Sequence, residues 1–163
     1  MGRLLLVLAA GLVLVPAVAA AAAPVVPAAV QRAIVDRVEP RFRWVPTVAP
    51  AGWRYRAWGP GEPPRRGTAL DIWFSPTGST EIGPGFHVLA VASCSLKGAM
   101  KRYAFDGVRV GWSTTYEDSQ AWMCLSRRLE VVVSDTGTGG DPPAAVAKRA
   151  RAIARMAASA RRL

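Results

Sequence analysis

The chain has 163 residues, which is enough for one domain behind a short leader and excludes most multidomain architectures. Hydrophobic residues make up 51% of the chain, and 21 Lys and Arg against 11 Asp and Glu give a net charge of +10. Outside the leader the share of apolar residues is ordinary for a globular domain. This composition argues against an integral membrane protein and against a disordered chain. The positive charge favours anionic partners.

Residues 1–23 have the order of an export signal. Arg3 supplies a positive start, the run from Leu4 to Val15 is apolar, and an alanine-rich stretch offers the small residues needed for cleavage. An uncleaved anchor is the alternative, because no charge occurs from Leu4 to Val30 and about 20 apolar residues span a bilayer. We predict a signal peptide over 1–23 and one exported α+β domain over 24–163, secreted or held in the cell envelope.

Cys94 and Cys124 are the only cysteines, and both fall in apolar segments typical of strands. Two thiols in a chain bound for an oxidising compartment usually pair, so we predict a disulfide, with two separate buried thiols as the alternative. A zinc site needs four protein ligands, whereas the chain offers two cysteines and a single histidine, His87. We therefore predict no metal and no cofactor.

The segment after the leader predicts one helix, a connector and two strands with a polar face. Apolar residues recur every four positions from Val30 to Val38, which indicates an amphipathic helix over 28–39, and prolines then make residues 40–52 an extended connector. In the strand over 53–58, Trp53, Tyr55 and Ala57 alternate with Arg54, Arg56 and Trp58; in the strand over 68–75, Asp71 and Trp73 lie on the polar face. Trp58 and Trp73 are therefore the tryptophans least easily placed in a core.

The middle of the chain predicts further strands. Residues 86–95 are apolar on both faces, as in a central strand. Asp106-Gly107 joins apolar segments over 102–105 and 108–114, a pattern that favours a hairpin with a type I′ turn. Residues 120–125 and 129–134 make another antiparallel pair.

The C-terminal segment predicts an amphipathic helix. Asp141 is a suitable N-cap, Pro142 takes the first helical position, and the helix runs to about Arg161. One face carries Val146, Ala150, Ile153, Met156, Ala157, Ala160 and Leu163, and the opposite face centres on Lys148, Arg151, Arg155 and Arg162. No acidic residue occurs from Pro142 to the end, so the polar face is entirely positive.

These elements predict an α+β fold, with a mainly antiparallel sheet of about six to seven strands and both helices packed on one face. A helix, a run of strands and a second helix leave no repeated βαβ unit. The glycine pattern of a dinucleotide-binding loop, G-x-G-x-x-G, would also require glycine at 137, 139 and 142. Position 142 is a proline, so the glycine-rich loop over 137–140 does not match.

An apolar strand enters the sequence Asp135-Thr136-Gly137-Thr138, which resembles the active-site loop of aspartic proteases. The resemblance implies two aspartates that share one proton. The chain has a single Asp-Thr-Gly, so a homodimer would have to supply the second aspartate. The segment after this motif also lacks a recognisable second half of the protease fold, because Pro142 and a predicted helix follow it. We predict a strand-to-helix loop in which Asp135 is not catalytic.

His87 is the sole histidine, so a Ser-His-Asp or Cys-His site would have to use it. Its nearest serine companions on the same predicted strand are Ser93 and Ser95, a spacing that strand alternation produces without any catalytic role. We predict that His87 is a half-exposed strand residue, and we predict no catalytic residue.

Arginine interleaved with tryptophan, together with the basic helix face, is compatible with a binding surface; the alternatives are an amphipathic strand whose aromatic residues face the core and a helix face that is only solvated. The candidate residues are Arg54, Arg56, Trp58, Trp73, Lys148, Arg151, Arg155 and Arg162. We predict a non-enzymatic domain that binds an anionic or amphiphilic partner, such as acidic lipid, wall polymer or protein; export argues against nucleic acid. The alternatives are a small extracytoplasmic hydrolase centred on Asp135 or His87, and a purely structural protein-interaction module.

Overall fold

The computed structural model describes residues 24–60, 70–76, 84–114, 118–136 and 142–163. The predicted leader over 1–23 and the predicted cap residue Asp141 lie outside them.

The described chain forms two α-helices, a short 3-10 helix and nine strands. In chain order they are α1 Ala28–Arg37, the 3-10 helix Pro40–Phe42, β1 Trp44–Pro46, β2 Trp53–Pro60, β3 Leu70–Pro76, β4 Gly85–Ala90, β5 Lys101–Phe105, β6 Val108–Thr114, β7 Asp118–Ser126, β8 Leu129–Thr136, α2 Pro143–Ala158 and β9 Ala160–Arg162. A seven-stranded antiparallel sheet has the order β2-β3-β4-β8-β7-β6-β5, and β1 pairs with β9 in a second, two-stranded sheet. The predicted α+β class and antiparallel sheet are confirmed.

The hydrophobic core lies between one face of the larger sheet and α2. Alternate side chains of the central strands are fully buried there, among them Phe86, Val88, Val131 and Val133. Helix α2 contacts strands β5 to β8, and the buried side chains Ile34, Phe42, Ile153 and Met156 belong to the same cluster. Full burial of an aliphatic or aromatic side chain stabilises the fold by about 1.5–3 kcal/mol.

Helix α2 ends three residues earlier than the predicted end at Arg161. Ser159 Oγ donates a hydrogen bond to the Met156 carbonyl at 2.8 Å and accepts hydrogen bonds from the amides of Thr47 and Val48, both at 3.1 Å. These bonds hold the end of α2 against the segment after β1. The residues that follow Ser159 form β9, which pairs with β1. The predicted place of Arg162 on the helix face is therefore wrong, because Arg162 lies in β9 opposite Trp44.

The disulfide between Cys94 and Cys124 is confirmed, and its two Cα atoms are 5.6 Å apart. Strand β4 ends at Ala90, so Cys94 lies in a loop rather than in the predicted strand. The Cys94 amide donates to the Arg127 carbonyl at 2.8 Å, and Trp122 Nε1 donates to the Ser95 carbonyl at 3.0 Å. These contacts fix the loop over 91–100 against β7 and the turn that follows it.

The predicted Asp106-Gly107 hairpin is also confirmed. It joins β5 to β6, with positive φ angles of 49° at Asp106 and 83° at Gly107. Positive φ at both central residues is what a type I′ turn requires.

Candidate functional site

Polar side chains from three adjacent strands share the sheet face opposite the core. Asp71 of β3 lies directly opposite His87 of β4, and Ser134 of β8 lies opposite Gly85. Successive residues of a strand point to opposite faces, so residues two apart share a face. Ser134 is therefore the diagonal neighbour of His87, two residues beyond its direct partner Val132.

Both ring nitrogens of His87 are hydrogen-bonded. Nδ1 lies 2.7 Å from Asp71 Oδ1, and Nε2 lies 3.0 Å from Ser134 Oγ. In the tautomer that carries its proton on Nδ1, the ring donates to the Asp71 carboxylate and accepts at Nε2 a hydrogen bond from the Ser134 hydroxyl. The side chains of His87 and Asp71 are 24% and 16% exposed, so the group is accessible from solvent.

The lack of a side chain at Gly85 leaves room for the His87 ring in the position where it reaches Ser134. The imidazole of His87 lies over it, and an ideal Cβ at position 85 would be 2.3 Å from Nε2 and 2.5 Å from Cε1 of that ring. A side chain at position 85 would thus displace the ring from Ser134, because real Cβ atoms do not approach other atoms so closely.

A cavity of about 260 Å³ lies on the same sheet face; it is lined by Gln120, the cross-strand partner of Ser134, and not by Ser134, His87 or Asp71 themselves. Its lining residues are Gly98, Ser113, Gln120, Trp122, Glu130 and Val132. Gln120 is exposed and lies directly opposite Ser134 in the β7–β8 pairing. Burial raises the pKa of the Glu130 carboxyl above its ordinary value.

Sequence reasoning missed this cluster. His87 is half-exposed on a strand, but its partners are neither Ser93 nor Ser95: they are Asp71, 16 residues before it, and Ser134, 47 residues after it. Each of the three occupies a polar position in an apolar strand. Only the strand order β3-β4-β8 makes them neighbours, and no local pattern encodes that order.

The four candidate residues of β2 and β3 do not form one patch. A register shift between Tyr55 and Ala57 leaves Arg56 as the extra residue of a β-bulge, and the alternation reverses beyond it. Trp58 consequently pairs with Ile72 and packs against the core, so its predicted place on the polar face is wrong.

The other three candidate residues of β2 and β3, apart from Trp58, are more exposed to solvent or lie on the sheet face opposite the core. Arg54 and Arg56 are exposed, and Trp73 is half-buried on the same strand face as Asp71.

The basic side of α2 borders a groove of about 500 Å³. Its lining residues are Thr47, Val48, Ala104, Phe105, Asp106, Val108, Arg151, Arg155, Ala158 and Ser159. The groove thus lies between the C-terminal half of α2, the β5–β6 hairpin and the segment after β1. Lys148 and Arg162 are exposed but do not line it.

Arg151 and Arg155 are four residues apart on α2, so their side chains are neighbours on one helix face. Within the part of the chain that the structure describes, neither guanidinium lies within 4.0 Å of a carboxylate oxygen. Like charges at this spacing destabilise a helix by about 0.2–0.5 kcal/mol. The groove therefore holds two adjacent positive charges that lack an acidic partner among the described residues.

Asp135 lies on the opposite side of the sheet from Ser134 and is buried, with 6% exposure. Its Oδ2 is 3.4 Å from Arg149 Nε of α2, so the pair connects β8 to the helix. The remaining residues of the protease-like loop, over 137–141, are outside the described part. Burial beneath α2 and the Arg149 contact support a structural role for Asp135.

The described residues contain no group of three metal-ligating side chains placed to hold an ion. No described helix is both long and apolar enough to cross a membrane. No protein-family model matches the chain, and searches of curated proteins and of solved structures found no match.

Proposed function

We propose that this protein is an exported domain that binds an anionic amphiphile in the groove between α2 and the β5–β6 hairpin. The observation that carries the proposal is the adjacency of Arg151 and Arg155, without a carboxylate partner in the described chain, above apolar side chains. A headgroup such as phosphate or carboxylate accepts hydrogen bonds from the guanidinium groups, and an acyl chain covers the apolar wall.

The dimensions and polarity of the groove suit such a ligand. Cavities that bind small molecules typically measure about 300–1,000 Å³ and combine apolar walls with a few polar groups. Phe105, Val108 and the exposed Val48 supply the wall here. Asp106 is the one acidic residue of the lining, and it has no ion pair with either arginine.

The wider charge distribution supports attraction to an anionic surface. With a net charge of +10, the chain is drawn toward acidic lipid or anionic wall polymer before any specific contact forms. Lys148, Arg162, Arg54 and Arg56 contribute to this long-range attraction but lie outside the groove lining.

The proposal includes export through the leader over 1–23, residence outside the cytoplasm, and both helices covering one face of the sheet. Mass spectrometry of the exported protein tests the first part. An N-terminus between Ala20 and Pro24 supports cleavage, and recovery of intact Met1 in membranes supports an anchor instead.

Binding to vesicles tests the groove. The measurement compares phosphatidylglycerol-containing vesicles with pure phosphatidylcholine vesicles for three proteins: the parent, Arg151→Gln/Arg155→Gln, and the control Lys148→Gln/Arg162→Gln. Both double variants lose the same charge, but only the first alters the groove. Each cation near an acidic membrane contributes about 1 kcal/mol, so generic attraction alone would weaken both variants about 30-fold.

We expect the groove variant to lose clearly more affinity than its control and to lose most of its discrimination between the two kinds of vesicle. Equal losses in the two variants would contradict the groove and leave only general electrostatic attraction.

The hydrolase alternative rests on a separate observation, the hydrogen-bonded Asp71, His87 and Ser134.

A further inference from the structure

We propose that Ser134, His87 and Asp71 form a catalytic centre that hydrolyses small carboxylic esters. In this centre Ser134 is the nucleophile, His87 is the general base, and Asp71 orients the imidazole. The site lies on the sheet face opposite the core and is separate from the amphiphile groove beside α2.

The distances match the requirements of this chemistry. A general base must lie about 2.6–3.2 Å from the group whose proton it removes, and Nε2 lies 3.0 Å from Ser134 Oγ. A third group must hold the imidazole in the correct tautomer, and Asp71 Oδ1 lies 2.7 Å from Nδ1. All three side chains are on strands rather than on loops, so the ladders β3–β4 and β4–β8 fix their separation.

The reaction proceeds in two balanced steps. Ser134 Oγ forms a bond to the carbonyl carbon as its proton moves to His87 Nε2; the ester C–O bond then breaks, and the leaving alcohol takes that proton. In the second step water attacks the acyl carbon and passes a proton to Nε2. The bond to Ser134 Oγ then breaks, the carboxylic acid leaves, and Oγ regains its proton from Nε2.

The developing oxyanion needs a hydrogen-bond donor. Strand β8 lies between β4 and β7, so its backbone amides are committed to the sheet ladders. The side chain of Gln120 lies directly opposite Ser134 and is exposed, and its amide group carries two N–H donors. Gln120 is therefore the residue that we assign to the oxyanion.

The cavity lined by Gln120 and Val132, the cross-strand partners of Ser134 and His87, indicates the class of substrate. At about 260 Å³ it is below the usual range for drug-sized ligands, so it suits a short acyl or alcohol group rather than a long chain. Trp122 and Val132 provide apolar contact, while Ser113 and Glu130 provide hydrogen-bonding groups. Small esters that carry polar groups fit this lining.

Covalent labelling with a fluorophosphonate probe tests the nucleophile directly. We expect peptide mapping of the labelled full-length protein to place the adduct on Ser134. Ser134→Ala should abolish this adduct, and His87→Gln should slow its formation about 100-fold or more, because general bases typically contribute about 10²–10⁴ in rate. Ser93→Ala is the matched control, since Ser93 is an exposed serine of the loop over 91–100, and it should label like the parent.

A second measurement needs no substrate and does not depend on the reactivity of an alcohol. In Ser134→Cys, a neighbouring base favours the thiolate, so alkylation by iodoacetamide should reach half its maximal rate at a lower pH than in Ser134→Cys/His87→Gln. Circular dichroism and an intact Cys94–Cys124 bond establish that each variant is folded before its rate is compared.

Two results would overturn the proposal. One is the absence of a Ser134 adduct when a known serine hydrolase reacts under the same conditions. The other is an alkylation profile for Ser134→Cys that does not depend on His87, which would leave the three side chains as a structural hydrogen-bond network. Arg151→Gln/Arg155→Gln should label normally, so failure of the groove proposal and failure of this one are distinguishable.

Discussion

His87 and Gly85 share one face of β4, and the imidazole lies over the glycine, where an added Cβ would be 2.3 Å from Nε2. The absence of a side chain at position 85 therefore lets the ring reach Ser134. Asp71 Oδ1 is hydrogen-bonded to Nδ1 on the other side of the ring. The orientation of His87 therefore depends on residues of β3, β4 and β8.

We predict that Gly85→Ala lowers the rate of Ser134 labelling by at least about tenfold, because the ring must move away from Oγ and positioned base catalysis contributes about 10²–10⁴. Gly59→Ala is the control: a Cβ at position 59 would meet the Trp73 ring at an ordinary 3.7 Å. The measurement is the labelling rate together with the melting temperature. Unchanged labelling in a folded Gly85→Ala variant would show that the ring position does not matter.

We predict that Glu130→Gln stabilises the protein at neutral pH. Burial raises the folded-state pKa of this carboxyl above its ordinary value of 4.5, so its favourable contribution is complete below that value and is lost as the pH rises through the folded pKa. The melting temperatures of variant and parent should diverge as the pH rises from 4.5 through the folded-state pKa of Glu130, and the variant should have the higher melting temperature at pH 7. Glu39→Gln, at an exposed residue paired with Arg41, should change little. A parent that is more stable than Glu130→Gln at pH 7 would contradict this.

We predict that Asp135→Asn leaves fluorophosphonate labelling and vesicle binding nearly unchanged but lowers the free energy of unfolding by about 1–2 kcal/mol, because a charge-assisted contact with Arg149 is weakened. Urea denaturation measures the loss. Pepstatin-sensitive proteolysis that disappears in this variant would support the aspartic-protease resemblance instead.

We predict that replacing both Cys94 and Cys124 by alanine destabilises the protein by about 3–4 kcal/mol, the value that the chain-entropy model gives for a loop of this length. The two cysteines are 30 residues apart in sequence. Peptide mapping without reductant should recover the linked peptides from the native protein. Two freely alkylatable thiols in the native protein would refute the disulfide.

The sequence predicted features that local chemistry determines. The Asp106-Gly107 turn requires positive φ at adjacent residues, and these two residues adopt it more readily than most others. The burial pattern of the central strands follows from their apolar composition. The polar alternation of β3 also placed Asp71 and Trp73 on one face.

Features set by distant partners could not be predicted in this way. The bulge at Arg56 depends on the pairing of β2 with β3, and it moves Trp58 to the core side. The end of α2 depends on bonds between Ser159 and Thr47, which are 112 residues apart. The Ser134–His87 contact likewise depends on the insertion of β8 beside β4.

The most direct test of the proposed function is a backbone amide NMR titration of the protein with dodecyl phosphate below its critical micelle concentration. We predict that the largest chemical-shift changes occur at Phe105, Val108, Arg151 and Arg155, and that they are much smaller with dodecyl maltoside or with inorganic phosphate. Each of these control ligands lacks either the anionic headgroup or the apolar chain. Shifts that map to another surface, or that are equally large with dodecyl maltoside, would contradict the anionic-amphiphile site.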